Sequence, residues 1–149
     1  MPATNKSKTK REKAIVPASI EFFDLKLVEA SYRENPDHVF KGRSLPVEFR
    51  VGVKREFSNQ KKACVVSERM EIFPGELEKS PFQIIVEMRG HFQVSDKKEI
   101  KALETFCECN APAIILPYIR AYIEQLGAHT PFDPIRVPLL NLAGLASNK

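Results

Sequence analysis

At 149 residues the chain is one domain's worth of polypeptide, long enough to bury a sizeable core. No apolar run approaches the ~18–20 residues needed to span a bilayer, and the charged N-terminus lacks the apolar stretch of a secretory signal. The three cysteines have no framework spacing and fit reduced thiols in a cytoplasm, with no disulfide scaffold.

The net charge of +4 belongs to one end of the chain: Lys6, Lys8, Lys10, Arg11 and Lys13 stand against Glu12 in residues 1–14, and the remainder balances. That segment, MPATNKSKTKREKA, is polar and poor in apolar groups, the composition of a disordered basic tail. Residues 15–149 are expected to form the single folded domain. A lysine-rich arm can reach RNA, an acidic partner or a membrane surface. No aromatic side chain is interleaved with these lysines, so base stacking is not supported and nucleic acid is not favoured as a partner. Binding of nucleic acid through the tail stays as the alternative of another class.

Ile20 to about Tyr32 reads as a strand, with Phe23, Leu25 and Leu27 alternating against Asp24 and Lys26. Glu34-Asn35-Pro36-Asp37 is a turn by composition. From Leu45 to Phe57, Val47, Phe49, Val51 and Val53 share one face, and Glu48, Arg50 and Lys54 the other. Ser58 to Lys61 predicts a hairpin connection into a third, less regular strand from Ala63 to Phe73, ended by Pro74-Gly75. The strongest strand follows, with Phe82, Ile84, Val86, Met88, Gly90, Phe92 and Val94 on one face. Gln83, Glu87, Arg89, His91 and Gln93 lie on the other. One apolar and one wet face with short connections predict an antiparallel sheet.

Asp96 with Glu99 resembles a capping box and opens a short helix through Phe106. Asn110 can N-cap a second helix, with Pro112 in its first turn. Ile115, Tyr118, Ile119, Tyr122, Ile123 and Leu126 recur at helical spacing. Pro117 should kink this helix or set its first turn apart, and Gly127 is its stop signal. The expected fold class is α+β: a four-stranded antiparallel sheet followed by a short and a long helix packed on one face. The long helix is apolar around much of its circumference. One sheet would not cover all of it, so a homo-oligomer is expected.

Phe132, Ile135, Val137, Leu139, Leu140 and Leu142 then occupy a segment that Pro131, Pro134 and Pro138 keep from being helical. Such a strap either lies on a surface or is one for a partner.

The search for chemistry returns no glycine-rich phosphate loop, no H-E-x-x-H and no G-x-S-x-G. His38, His91 and His129 are scattered. Cys107 and Cys109 could be half of a zinc site, but Cys64 sits alone in a strand and supplies no second half. No enzyme activity, metal or cofactor is expected.

The run PxxILxPYxRxxI, then FxPIxVPxxNLxxL, resembles the C-terminal half of the SecB family of export chaperones. The matching residues are Pro112, Ile115, Pro117, Tyr118, Arg120 and Ile123, then Phe132, Pro134, Ile135, Val137, Asn141, Leu142 and Leu145. His38-Val39-Phe40 and Gly90-His91-Phe92 echo it upstream. The resemblance implies an ATP-independent holdase in the cytoplasm, a tetramer built as a dimer of dimers, that keeps unfolded preproteins in apolar grooves for export. It implies a client groove at Val47, Phe49 and Val51 on strand 2 with Phe132, Ile135, Val137 and Leu140 on the strap. Ile115, Tyr118, Ile119, Tyr122 and Ile123 are the expected oligomer interface. Members dock on the SecA motor through carboxylates on the outer sheet face, where this sequence has Arg33 and Ile85. Others in the family protect the antitoxin of a toxin–antitoxin pair, which is the alternative function. Neither reading involves a membrane partner.

Overall fold

A computed structural model describes residues 19–39, 46–132, 134–138, 140 and 142. The basic tail, the start expected for strand 2 at Leu45, and Leu139, Asn141 and Leu145 of the strap region lie outside the described residues. The elements are β1 (Glu21–Glu34), β2 (Phe49–Phe57), β3 (Ala63–Ile72), β4 (Phe82–Gln93), α1 (Ile100–Cys109) and α2 (Ala111–Gly127). The strands form one sheet in the order β1-β4-β3-β2, with every neighbouring pair antiparallel. Both helices lie on one face, so the α+β architecture expected from the alternation is the one observed.

The β2–β3 connection is tight because Lys61 takes a left-handed φ of 57° and its N–H donates to Ser58 O at 2.8 Å. The Ser58 hydroxyl also accepts from Ala63 N at 3.2 Å, a side-chain bond that holds the turn. After β3 the chain turns through Phe73 (φ 53°) and Gly75 (φ 103°). The Gln83 amide secures that turn by donating to Phe73 O and Gly75 O. At Gly75 the positive φ is why glycine is needed.

Alternation sorts the sheet into two faces. Inward go Cys64, Val66, Met70 and Ile72 of β3 and Phe82, Ile84, Val86, Met88 and Phe92 of β4, all buried. Outward, Arg69 gathers three carboxylates across three strands: Glu29 at 2.6 Å, Glu71 at 2.9 Å and Glu87 at 3.1 Å. Arg50 adds a longer pair with Glu71. This clamp ties β1, β4 and β3 together at one register.

The helical signals are realised with corrections. Asp96 accepts from Lys98 N at 3.0 Å, but the turn it opens is 3₁₀, and α1 begins only at Ile100. Asn110 makes no side-chain cap. It is itself helical (φ −102°, ψ −40°), donates to Phe106 O and accepts from Ile114 N, so α1 runs almost directly into α2. Pro117 does not divide α2, which is continuous from Ala111 to Gly127. Its neighbours Ile115 and Ile119 are fixed against the sheet, which offsets the missing backbone bond.

Gly127 does not act through a left-handed cap, since Ala128 after it is right-handed helical. Its value is space: a Cβ there would lie 2.9 Å from Ile135 Cδ1 and 3.0 Å from Ile135 Cβ. Thr130 then turns the chain, its hydroxyl donating to Gly127 O at 2.7 Å and accepting from Phe132 N. Gly127→Ala is expected to lift the strap off the helix end and destabilise the chain by roughly 1–3 kcal/mol. Urea denaturation tests this, and an unchanged midpoint would show the close packing to be unimportant.

Candidate functional site

The inner face of the sheet is covered unevenly. α2 lies over β4 and β3 with a smaller contact to β1, while α1 covers the Cys64 end of β3. The β3 and β4 rows are consequently sealed. β2, at the sheet edge, keeps Phe49, Val51 and Val53 only half-buried although they point to the same side. An apolar strip with one open flank results.

The strap borders this interior. Phe132 packs on Phe82 with ring centroids 4.8 Å apart, and Phe82 meets Phe73 edge-on at 5.1 Å. Ile135, Val137 and Leu142 are buried, Leu140 is half-buried, and Arg120 Nη2 pins the strap by donating to Pro138 O at 2.7 Å. Of the expected groove residues, then, Ile135 and Val137 serve the chain's own core. Phe49, Val51, Phe132 and Leu140 stay partly open, and Val47, just before β2, is 40% exposed.

The expected oligomer set divides in the same way. Ile115, Ile119 and Ile123 are fully buried against the chain's own sheet, whereas Tyr118 is 47% exposed and Tyr122 half-buried. The three isoleucines are used internally because they share the helix face that meets β4 and β3. Of the expected interface residues, the two tyrosines are those that α2 leaves partly open.

Sequence reading missed one residue of consequence. Glu68 sits in the sealed β3 row, level with Val53 on β2 and Met88 on β4, and is 0% exposed. Neither carboxylate oxygen has a hydrogen-bond partner. Burial alone pushes its pKa up to about 8, because an ion stripped of water without a counter-charge is strongly disfavoured. The irregularity of β3 in the sequence was its only signal.

The cysteines also differ from expectation. Cys64 is not alone: it meets Cys107 of α1, whose thiol bonds its sulfur and is held well above the ordinary thiol range by that contact and by burial. Arg55 closes the C-terminal end of α1, donating through Nε to Cys107 O at 2.9 Å and through Nη2 to Glu108 O. Cys109 is exposed. Among the described residues no group of three or more His, Cys, Asp or Glu side chains could hold a metal ion. His38, Glu48, Glu76 and Lys79 line a separate hollow of about 540 Å³ at the β3–β4 turn, where Lys79 pairs with Glu76. No described helix is long and apolar enough to cross a membrane.

With this geometry in place, the chain can be set beside known proteins. No protein-family model matches the sequence. The structure superposes on the Mycobacterium tuberculosis SecB-like chaperone Rv1957, solved with a ChAD peptide from the Rv1956 HigA1 antitoxin. The TM-score is 0.64 at 15% identity, over 82% of this chain and 91% of that one. The fold is SecB-like. At that identity the likeness is one of architecture. An uncharacterized protein of Methanocaldococcus jannaschii is 37% identical over 70 residues, 47% of this chain and 44% of its own length. The chain thus matches less than half of that relative. A Streptococcus agalactiae protein superposes at a TM-score of only 0.36 with 10% identity. On the helix side of the sheet, the β2 strip with Phe132 and Leu140 of the strap is partly open and apolar, as are Phe22 and Leu27 on the opposite edge strand β1.

Proposed function

We propose that this SecB-like chain is an ATP-independent chaperone that holds non-native polypeptide segments on the strip formed by Phe49, Val51 and Val53 with Phe132 and Leu140. The observation that carries the reading is the inner face of β2: apolar, half-covered, and on a sheet edge where an extended segment can lie alongside. Burying client side chains there is worth ~25 cal/mol per Å² of apolar surface. The contact requires no nucleotide, and it makes only loose demands on sequence.

Two client classes fit. An export chaperone would deliver preproteins to SecA across the outer sheet face, where Arg33 is exposed and Ile85 half-buried. A dedicated chaperone would protect an antitoxin, and the antitoxin peptide bound by Rv1957 favours that reading. Self-association through Tyr118 and Tyr122, as a dimer of dimers in the cytoplasm, would multiply the strips and add avidity.

The test is aggregation of a reduced, unfolded model protein without ATP, comparing the wild type with Phe49→Asp/Val51→Asp at equal oligomeric mass. The wild type should suppress aggregation, and the variant should need about tenfold more protein to do so. Equal holding by a folded variant would dismiss the strip. No holding by the wild type would leave the antitoxin peptide as the next client to try.

A further inference from the structure

We propose that Cys64 and Cys107 form an internal dithiol that a peroxide converts to a disulfide, fastening α1 to the sheet under oxidising conditions. The inference is independent of what the β2 strip binds.

Three contacts set the two thiols against each other. Cys64 is the second residue of β3, points inward, and is paired across the ladder with Phe92 of β4. The Phe92 ring meets Phe106, the neighbour of Cys107 on α1, edge-on with centroids 5.4 Å apart. From the other side Arg55 of β2 donates to the Cys107 carbonyl at 2.9 Å. Arg55 lies two residues before Phe57, which faces Cys64 across the β2–β3 ladder. α1 is thus tied over the end of β3 from both neighbouring strands, and the Cys107 thiol donates to the Cys64 sulfur. Two buried cysteines used only as small apolar fillers need no such contact. Sulfurs already in hydrogen-bond contact need only a short approach to reach the ~2.05 Å of a disulfide.

Cys64 is the nucleophile of the pair. The hydrogen bond from Cys107 and the nearby Arg55 cation favour its thiolate, while the same contact and burial keep Cys107 protonated. The Cys64 sulfur attacks one oxygen of hydrogen peroxide, the O–O bond breaks, and the released hydroxide takes up the Cys64 proton as water. Cys64 is then a sulfenic acid. The Cys107 sulfur attacks that sulfur, the S–O bond breaks, and hydroxide leaves with the Cys107 proton as a second water. The thiols lose two electrons and two protons, and one peroxide becomes two waters. The pair sits where β3 begins and α1 ends, so local opening of one helical turn admits a molecule little larger than water.

The bond joins β3 to α1 and closes a loop that contains all of β4. Such a loop restricts the unfolded chain, so the oxidised form resists unfolding. Cys109, exposed two residues on, is the competing thiol.

The test uses the full chain and a Cys109→Ser variant, each fully reduced and then exposed to hydrogen peroxide under native conditions. Peptide mapping without reductant should show the Cys64 peptide linked to the Cys107 peptide in both proteins, and dithiothreitol should separate them. The oxidised Cys109→Ser chain should have its urea midpoint raised by roughly 1–2 M, reversibly. Cys64→Ala and Cys107→Ala, checked for native melting, should show neither effect. Should the alanine variants not fold, Cys109→Ser with and without dithiothreitol decides alone. The inference is overturned by a map in which Cys64 and Cys107 are never linked, whether as free thiols or as separately oxidised sulfurs. It is overturned equally by a bridge to Cys109 instead, by a bridge that forms only in urea, or by a bridged chain whose midpoint does not rise. A rise that persists in the alanine variants has the same meaning. None of these outcomes bears on the chaperone reading.

Discussion

Glu68→Met is expected to be more stable than the wild type, by a margin that widens with pH. The folded chain keeps the Glu68 proton up to about pH 8, whereas an unfolded carboxyl releases it near 4.5. Folding therefore takes up a proton between those values. The stability tied to Glu68 is fully present below about 4.5 and is lost as pH rises through about 8. Each tenfold change in proton affinity is worth about 1.4 kcal/mol, which puts the difference at alkaline pH on the order of 3–5 kcal/mol. Other carboxylates make the wild type's own pH profile composite, so the informative quantity is the difference between wild type and variant. Methionine suits the site because its neighbours Met70 and Met88 are of the same kind, and replacing a buried charge by an apolar group of similar volume is often stabilising. Chemical denaturation at several pH values gives the answer. A difference that does not change with pH would mean that the carboxyl has a partner in solution.

The second large effect separates two neighbours on α2. Ile119→Ala should destabilise the chain by about 2–5 kcal/mol, because Ile119 is fully buried against the sheet and its loss leaves a cavity. Tyr118→Ala should cost less than about 1 kcal/mol within a single chain, as expected of an exposed position. If the outward tyrosines join copies of the chain, Tyr118→Ala should nevertheless lower the oligomeric mass in solution, while Ile119→Ala acts through folding. Urea titration paired with mass measurement distinguishes them. An unchanged mass in Tyr118→Ala would remove α2 from the self-association surface.

β4 was legible because nearly every inward residue is large and apolar and every outward one except Ile85 is polar. β3 is just as regular in burial, but Glu68 occupies an inward position, so its sequence does not alternate in hydropathy as its side chains do in space. The cap expected at Asn110 failed because the preceding helix extends to it, leaving no free first turn to cap. At Gly127 the boundary was read correctly for a different physical reason: Ile135, eight positions along the chain, needs the space. The strap's prolines and apolar residues identified it as something other than a solvated loop. Which of its side chains fill the core and which stay partly open depends on contacts with α2 and Phe82 that no local pattern encodes. Phe49 and Val51 were named through the family resemblance, but that β2 lies at an edge beyond the reach of α2 follows only from the strand order, since nothing in the residues of β2 says so.

That strand order also governs how the chain comes together. β2, β3 and β4 follow one another as adjacent antiparallel neighbours, joined by a tight turn at Ser58–Lys61 and by residues 73–81, which include Gly75 and a 3₁₀ turn at Leu77–Lys79. β1 pairs only with β4, from which it is separated by two complete strands and their connections. Closing that long loop costs more entropy than closing either hairpin. The meander from β2 to β4 is therefore expected to form first and β1 to dock on its free edge afterwards, where Glu29 completes the Arg69 clamp. During synthesis β1 leaves the ribosome first and must wait, with Phe22, Phe23, Leu25 and Leu27 unpaired, until β4 has been made.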